Sequence, residues 1–179
     1  MRLRALAHAL EGNLTYDSSH ERDWDRLTAL CWGEIATDRR SSREAHLNAL
    51  GVALIAFKHS HKSAYHDRAV EGLETVLAWR TKRSLTKEDR RDIAKLAIHE
   101  WVVDMCPICL GAGSRQDDAG VDRPCVPCGT SGKRRYSDQE RSEMLGRKAH
   151  RYSSAISIAH GGIALAVHTA SEFAERMLK

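Results

Sequence analysis

The chain has 179 residues, 42% of them hydrophobic and 29% charged, with a formal net charge of +4. Such a length supports one good core with a small appended module, and the composition is ordinary for a soluble globular protein. The longest apolar run, residues 49–57, is too short to cross a bilayer, and the first residues show no small-residue cleavage site, so the reading excludes a membrane partner and points to the cytoplasm.

Helical periodicity fills the first hundred residues. Trp24, Leu27, Cys31 and Ile35 mark one helix, with Cys31 as a buried core thiol. Leu47, Leu50, Leu54 and Phe57 mark the next, opened by a capping box between Ser41 and Glu44. Tyr65, Ala69, Leu73, Val76 and Leu77 mark a third. Thr86 caps a fourth through Asp89, with Ile93, Leu96, Ala97 and Trp101 on its apolar face, and this helix runs directly towards Cys106. Between the third and fourth helices, Arg80, Lys82, Arg83, Lys87, Arg90 and Arg91 read as solvated surface diluted by acids, with a second phosphate contact as the alternative. His59, His61 and His66 read as surface, because no carboxylate set accompanies them.

All three prolines, Pro107, Pro124 and Pro127, fall in the next segment, and no strand is expected outside it. Cys106 and Cys109 form one Cys-x-x-Cys pair, and Cys125 and Cys128 form another after fifteen intervening residues. Two such pairs suit four thiolates around one structural zinc ion, Zn2+, with the intervening loop, a short hairpin, folding the second pair onto the first. Gly111, Gly113, Gly129 and Gly132 follow the pairs and let backbone N–H groups approach sulfur. A disulfide framework would need an oxidising compartment. A thioredoxin-like site would need one pair on a strand-to-helix turn. A catalytic zinc would need an open position that four thiolates close. The bound ion with its thiolates carries −2, which brings the formal charge from +4 to about +2.

The tract at 133–151 is basic by itself: Lys133, Arg134, Arg135, Arg141, Arg147, Lys148 and Arg151 outnumber Asp138, Glu140 and Glu143 by 7 − 3 = 4. Lys133, Arg134, Arg135, Arg147, Lys148 and Arg151 are the candidate contacts to double-stranded DNA, since phosphates require positioned cations. A solvated helix face is the plainer alternative. Ser137 and Glu140 form a further capping box. A short helix to Leu145, a turn at Gly146 and a helix from Lys148 make a helix-turn-helix layout, although Arg147 stands where an apolar residue is usual; two ordinary consecutive helices are the other reading. A long final helix carries Ile156, Ile163, Val167, Ala170, Phe173 and Met177. The expected fold is therefore mainly α: a helical bundle with an inserted four-cysteine zinc-binding loop. It divides into a helical part at 1–105, a zinc module at 106–132 and a basic, helix-turn-helix-like segment with the C-terminal helix at 133–179. No nucleophile–base pair, phosphate loop or paired carboxylates assemble, and His99-Glu100 lacks the second histidine of a metalloprotease helix, so no enzyme is expected.

The stretch WVVDMCPICLGAG…CVPCGTSGKRRYSDQER resembles the Q-type late antiterminators of lambdoid phages. The likeness covers roughly 95–160 and rests on Trp101, the four cysteines, Gly111, Gly113, Gly132, Ser137, Leu145 and Gly146. Thr130 departs from it, standing where that family's pattern has glycine. The resemblance implies a factor that binds late-promoter DNA, loads onto bacterial RNA polymerase paused there with its sigma factor, and lets the enzyme pass pauses and terminators in the host cytoplasm. The zinc module and basic tract would then face DNA, and the helical N-terminal half would supply polymerase contacts. A zinc-containing DNA-binding regulator without polymerase engagement is the alternative. A DnaJ-like co-chaperone shares the C-x-x-C-x-G-x-G motif, but it has four copies and a His-Pro-Asp loop, against two copies and no His-Pro here.

Overall fold

A computed structural model describes residues 42–81, 85–116 and 120–177. The Trp24–Ile35 stripe, Cys31, the Ser41 cap, Lys82 and Arg83 lie outside the described residues. Helices α1 (Ser42–Ser60), α2 (Ser63–Arg80) and α3 (Lys87–Val102) come first. Strands β1 (Ser114–Gln116) and β2 (Asp122–Pro124) follow, then α4 (Asp138–Leu145), a 3-10 turn (Ala149–Tyr152) and α5 (Ser153–Met177). The described chain is thus mainly helical with one small antiparallel hairpin. None of its helices is long and apolar enough to cross a membrane.

The chain forms two compact units, one built from Met1–Ile98 and Ser154–Lys179, the other from His99–Ser153. In the helical unit the predicted stripe on α2 is buried in full: Tyr65, Ala69, Leu73, Val76 and Leu77. Leu50 and Leu54 of α1, Ile93, Leu96 and Ala97 of α3, and Ile156, Ile163, Ala170 and Phe173 of α5 join it. Each large aliphatic side chain removed from water contributes about 1.5–3 kcal/mol. Small residues let the helices approach one another. A methyl group on Gly51 would overlap the Ala166 carbonyl oxygen of α5, one on Gly72 would press on Leu50 of α1, and one on Gly162 would press on Leu73 and Val76 of α2.

The capping signals at Thr86 and Ser137 hold. Thr86 Oγ1 accepts the Asp89 N–H at 3.0 Å while Asp89 Oδ2 accepts the Thr86 N–H at 3.2 Å, which satisfies orphan donors at the start of α3. Ser137 and Glu140 form the same reciprocal box at α4. Gly146 ends α4 in the left-handed conformation, at φ 63°. Beyond it the chain does not enter an α-helix at Lys148: residues 149–152 form a 3-10 turn, and α-helical hydrogen bonding begins at Ser153. The Ser142 hydroxyl accepts the Ala149 N–H at 2.9 Å and joins α4 to that turn.

Candidate metal centre

Residues 106–113 and 125–132 fold alike, position by position. Leu110 and Gly129, each following the second cysteine of its pair, have φ 48° and 59°. Gly111 and Thr130 follow at 90° and 68°, and Gly113 and Gly132 lie at 76° and 69°. The two knuckles then exchange backbone bonds across the centre. Cys106 N–H donates to Gly132 O at 2.8 Å, and Cys125 N–H donates to Gly113 O at 2.9 Å. The glycines are reciprocal as well: a methyl on Gly113 would overlap the Thr130 carbonyl, and one on Gly132 would overlap the Gly111 carbonyl. The arrangement approximates a two-fold axis that relates one knuckle to the other.

Around that axis lie the four sulfurs, all buried and all within 4.8 Å of one another. Cys106 Sγ is 3.9 Å from Cys125 Sγ, and Cys109 Sγ is 3.7 Å from Cys128 Sγ. Zinc–sulfur bonds of about 2.3 Å define a tetrahedron with edges of about 3.8 Å, so the sulfur set fits such an ion. Among the described residues it is the one group of three or more His, Cys, Asp or Glu side chains placed to share a metal. Soft thiolates in tetrahedral array favour zinc or an iron–sulfur iron among biological metals. Such an ion would be fully ligated by Cys106, Cys109, Cys125 and Cys128 and would act as a structural clamp.

The electrostatics are those of sulfurs crowded together. Backbone N–H groups of Cys109 and Ile108 hold the Cys106 thiol down at about 7. Burial pushes the Cys125 thiol up to about 12. At Cys128 burial opposes ionisation, but the Gly132 backbone bond and the Cys125 side chain bring the thiol below its ordinary value. Gly113 N–H also donates to Cys109 Sγ at 3.3 Å. Four adjacent thiolates repel one another, and a dication is what would let all four ionise together.

The chain enters and leaves the centre side by side. Met105 bridges Lys133 in antiparallel fashion, and Arg134 N–H donates to Asp104 O at 2.7 Å. Between the knuckles, β1 pairs with β2 in the register Ser114 to Pro124, Arg115 to Arg123 and Gln116 to Asp122.

The cations of the basic tract divide into engaged and open groups. Arg141, counted with the tract, instead binds Glu100: Nε donates to Oε1 at 2.8 Å and a terminal nitrogen donates to Oε2 at 3.0 Å. The Glu100 side chain is only 4% exposed, so its carboxylate is buried while the Arg141 side chain stays part-exposed at 27%. Arg134 donates to Glu140 Oε1 at 2.9 Å and stacks 4.5 Å above the Tyr136 ring, whose hydroxyl donates to Val103 O. The Ser137 backbone and Arg134 together hold the Glu140 carboxyl down at about 2. Lys133, Arg135, Lys148 and Arg151 are exposed, and Arg147 is half-buried with its backbone N–H on Ser142 O. The Arg135 guanidinium lies over Gly129, where any side chain would displace it.

Sequence reasoning missed the Glu100–Arg141 pair, although Glu100 stands four residues after Leu96 and seven after Ile93, on the apolar stripe of α3. The histidines differ in part from the surface reading. His61 is exposed, but His59 and His66 are half-buried, and the Phe57 ring lies 5.0 Å from His66. In the second basic cluster, Arg80, Lys87 and Arg91 are exposed, while Arg90 donates to Leu85 O at 2.8 Å. No family model matches this chain, and no curated protein matches it.

Proposed function

We propose that this protein is a zinc-clamped, DNA-binding transcription factor of the antitermination type, acting in the cytoplasm of a bacterial host. On this reading the tract after the cysteine centre binds duplex DNA. The protein also engages RNA polymerase with its sigma factor, and the enzyme then passes pauses and terminators. The observation that carries the reading is the backbone coupling of the basic tract to the metal centre. Cys106 N–H on Gly132 O and Arg134 N–H on Asp104 O hold the chain on either side of Lys133, so a rigid base presents the exposed cations. Positioned cations retain affinity for phosphate because little side-chain and backbone freedom is lost on binding.

Lys133, Arg135, Lys148 and Arg151 are the phosphate contacts on this reading, with Arg147 beside them. Arg134, held by Glu140 and Tyr136, fixes the tract. The α4–Gly146–3-10 segment serves as a helix-turn-helix-like element that offers Lys148 and Arg151 to a groove. Ile108, Leu110 and Val126, 52%, 75% and 85% exposed at the knuckle tips, support contact with a protein as well as with DNA. The ion is zinc on this reading, and with four thiolates around it there is no position for a reacting water.

Transcription through an intrinsic terminator downstream of a candidate late promoter tests the proposal. With zinc, sigma factor and the protein present, read-through should rise, and Arg135→Glu should reduce it together with DNA affinity. Intact DNA binding without added read-through would leave a DNA-binding regulator that does not engage polymerase.

A further inference from the structure

Within the helical unit, α1, α2 and α5 leave a cavity of about 240 Å³ between them. Val76, Ile158 and Leu165 give it apolar walls, and Gly161 and Gly162 line it from α5. Gly162 is explained by packing, since a methyl group there would press on Leu73 and Val76. Gly161 is not. A methyl group on Gly161 would meet nothing within 4 Å, so a residue that weakens its helix admits no neighbouring backbone and leaves open space at the cavity instead. All the residues that line the cavity are among the described ones, and none is acidic.

One wall is an aromatic ring held in place. Trp79 is 40% exposed, with the Arg43 guanidinium 5.3 Å from its ring centroid and the His46 ring edge-on at 4.9 Å. His46 Nε2 donates in turn to Gly72 O at 2.9 Å, which fixes that ring against α2. Arg43 and Arg80 both line the cavity, and neither guanidinium has an ion pair or a hydrogen bond among the described residues. Two cations therefore share one small, apolar-walled space without a counter-charge. A flat apolar body would take the space beside the indole, and a carboxylate on it would match the guanidinium forks. The volume lies at the lower end for small-molecule sites, which suits one or two fused rings.

We propose that this cavity binds a small aromatic carboxylate, with its ring beside Trp79 and its carboxylate at Arg43 and Arg80. The site belongs to the helical unit and uses none of the residues that the DNA-binding reading uses, so it goes beyond that reading and does not depend on it.

Titration calorimetry of the full-length zinc-loaded protein with 1-naphthoate is the test. Binding should be one-to-one with a dissociation constant below about 1 mM. Loss of a charge-assisted hydrogen bond should weaken it by roughly tenfold or more, both for Arg80→Ala and for 1-naphthamide, which keeps the rings and lacks the charge. Gly161→Leu places a side chain in the open space and improves the helix, so its thermal midpoint should stay at or above wild type while the heat of binding disappears. That variant separates a filled cavity from a failed fold. Absence of saturable binding by the wild-type protein would overturn the site. Naphthoate bound by Gly161→Leu as tightly as by wild type would place the ligand elsewhere and overturn it equally. Naphthamide bound as tightly as naphthoate would overturn the assignment to carboxylates.

Discussion

In the helical unit the buried side chains are mostly aliphatic and small, with Tyr65 and Phe173 among them, drawn from α1, α2, α3 and α5, with glycines where backbones meet. In the cysteine unit the buried cluster at the knuckles is the four cysteines themselves, supported by backbone bonds and by a part-buried ion pair on a buried carboxylate. The first is held by removal of apolar area from water, which needs no other component. In the second, four buried sulfurs stand where a metal would join them, and a guanidinium pairs with a carboxylate, so charge would take a larger share. The same chain therefore uses two sources of stability that respond to different agents.

Removing the metal should have the largest effect. Structural zinc sites of this kind supply an apparent 10–16 kcal/mol or so in small modules. Chelation, or Cys125→Ser, should unfold the cysteine unit while most of the far-ultraviolet helical signal stays. A single transition that abolished the helical signal along with bound zinc would break the comparison. Next comes Arg141→Ala, which leaves the Glu100 carboxylate buried without its guanidinium and should cost about 3–5 kcal/mol. Replacing Glu100 and Arg141 together with leucines should cost much less, and chemical denaturation of both variants measures the difference. Gly51→Ala attacks the other side of the comparison. The added methyl meets the Ala166 carbonyl and the Ala170 side chain, and crowding of that kind costs about 1–3 kcal/mol. It should lower the thermal midpoint of the helical signal and leave zinc affinity, read by competition with a chelating dye, where it was.

The smallest effect should come from within the cysteine unit and should be a gain. Thr130 holds φ 68°, a conformation unfavourable for a β-branched residue, where its counterpart Gly111 is at ease. Thr130→Gly should stabilise the zinc-loaded unit by about 1 kcal/mol. Leu110, at φ 48° opposite Gly129, offers the matching substitution in the other knuckle. Unchanged denaturation midpoints for both glycine variants would mean that neither turn is strained.

What could be read from the sequence follows the distance over which each interaction acts. Cys-x-x-Cys pairs, the Thr86–Asp89 box and the Ser137–Glu140 box close within three residues, so spacing alone reveals them. The α2 stripe is legible for the same reason, because a helix repeats its buried face every three or four positions. Arg141 was not legible: its partner is 41 residues away, and in a basic tract a paired guanidinium looks like an open one. The exchange between Cys106, Gly132, Cys125 and Gly113 involves backbone atoms, which leave no mark on composition. Gly51 and Gly162 sit inside helices, where sequence rules read glycine as a weakness, and only packing shows that they admit a neighbouring backbone. A 3-10 turn at 149–152 stands at the expected helical start, and the Ser142 hydroxyl that accepts the Ala149 N–H there is a contact across the turn.

The Met105–Lys133 bridge makes residues 106–132 a detachable cassette. Its two ends emerge as adjacent, hydrogen-bonded strands, so a tight reverse turn could replace the whole insert without changing the separation of the flanking chain. Conversely, any host loop with two such neighbouring strands could receive it. The cysteine knuckle is thus an exchangeable part, and on the proposed reading a change in its hairpin would alter its contacts while the separation of the flanking chain stays fixed.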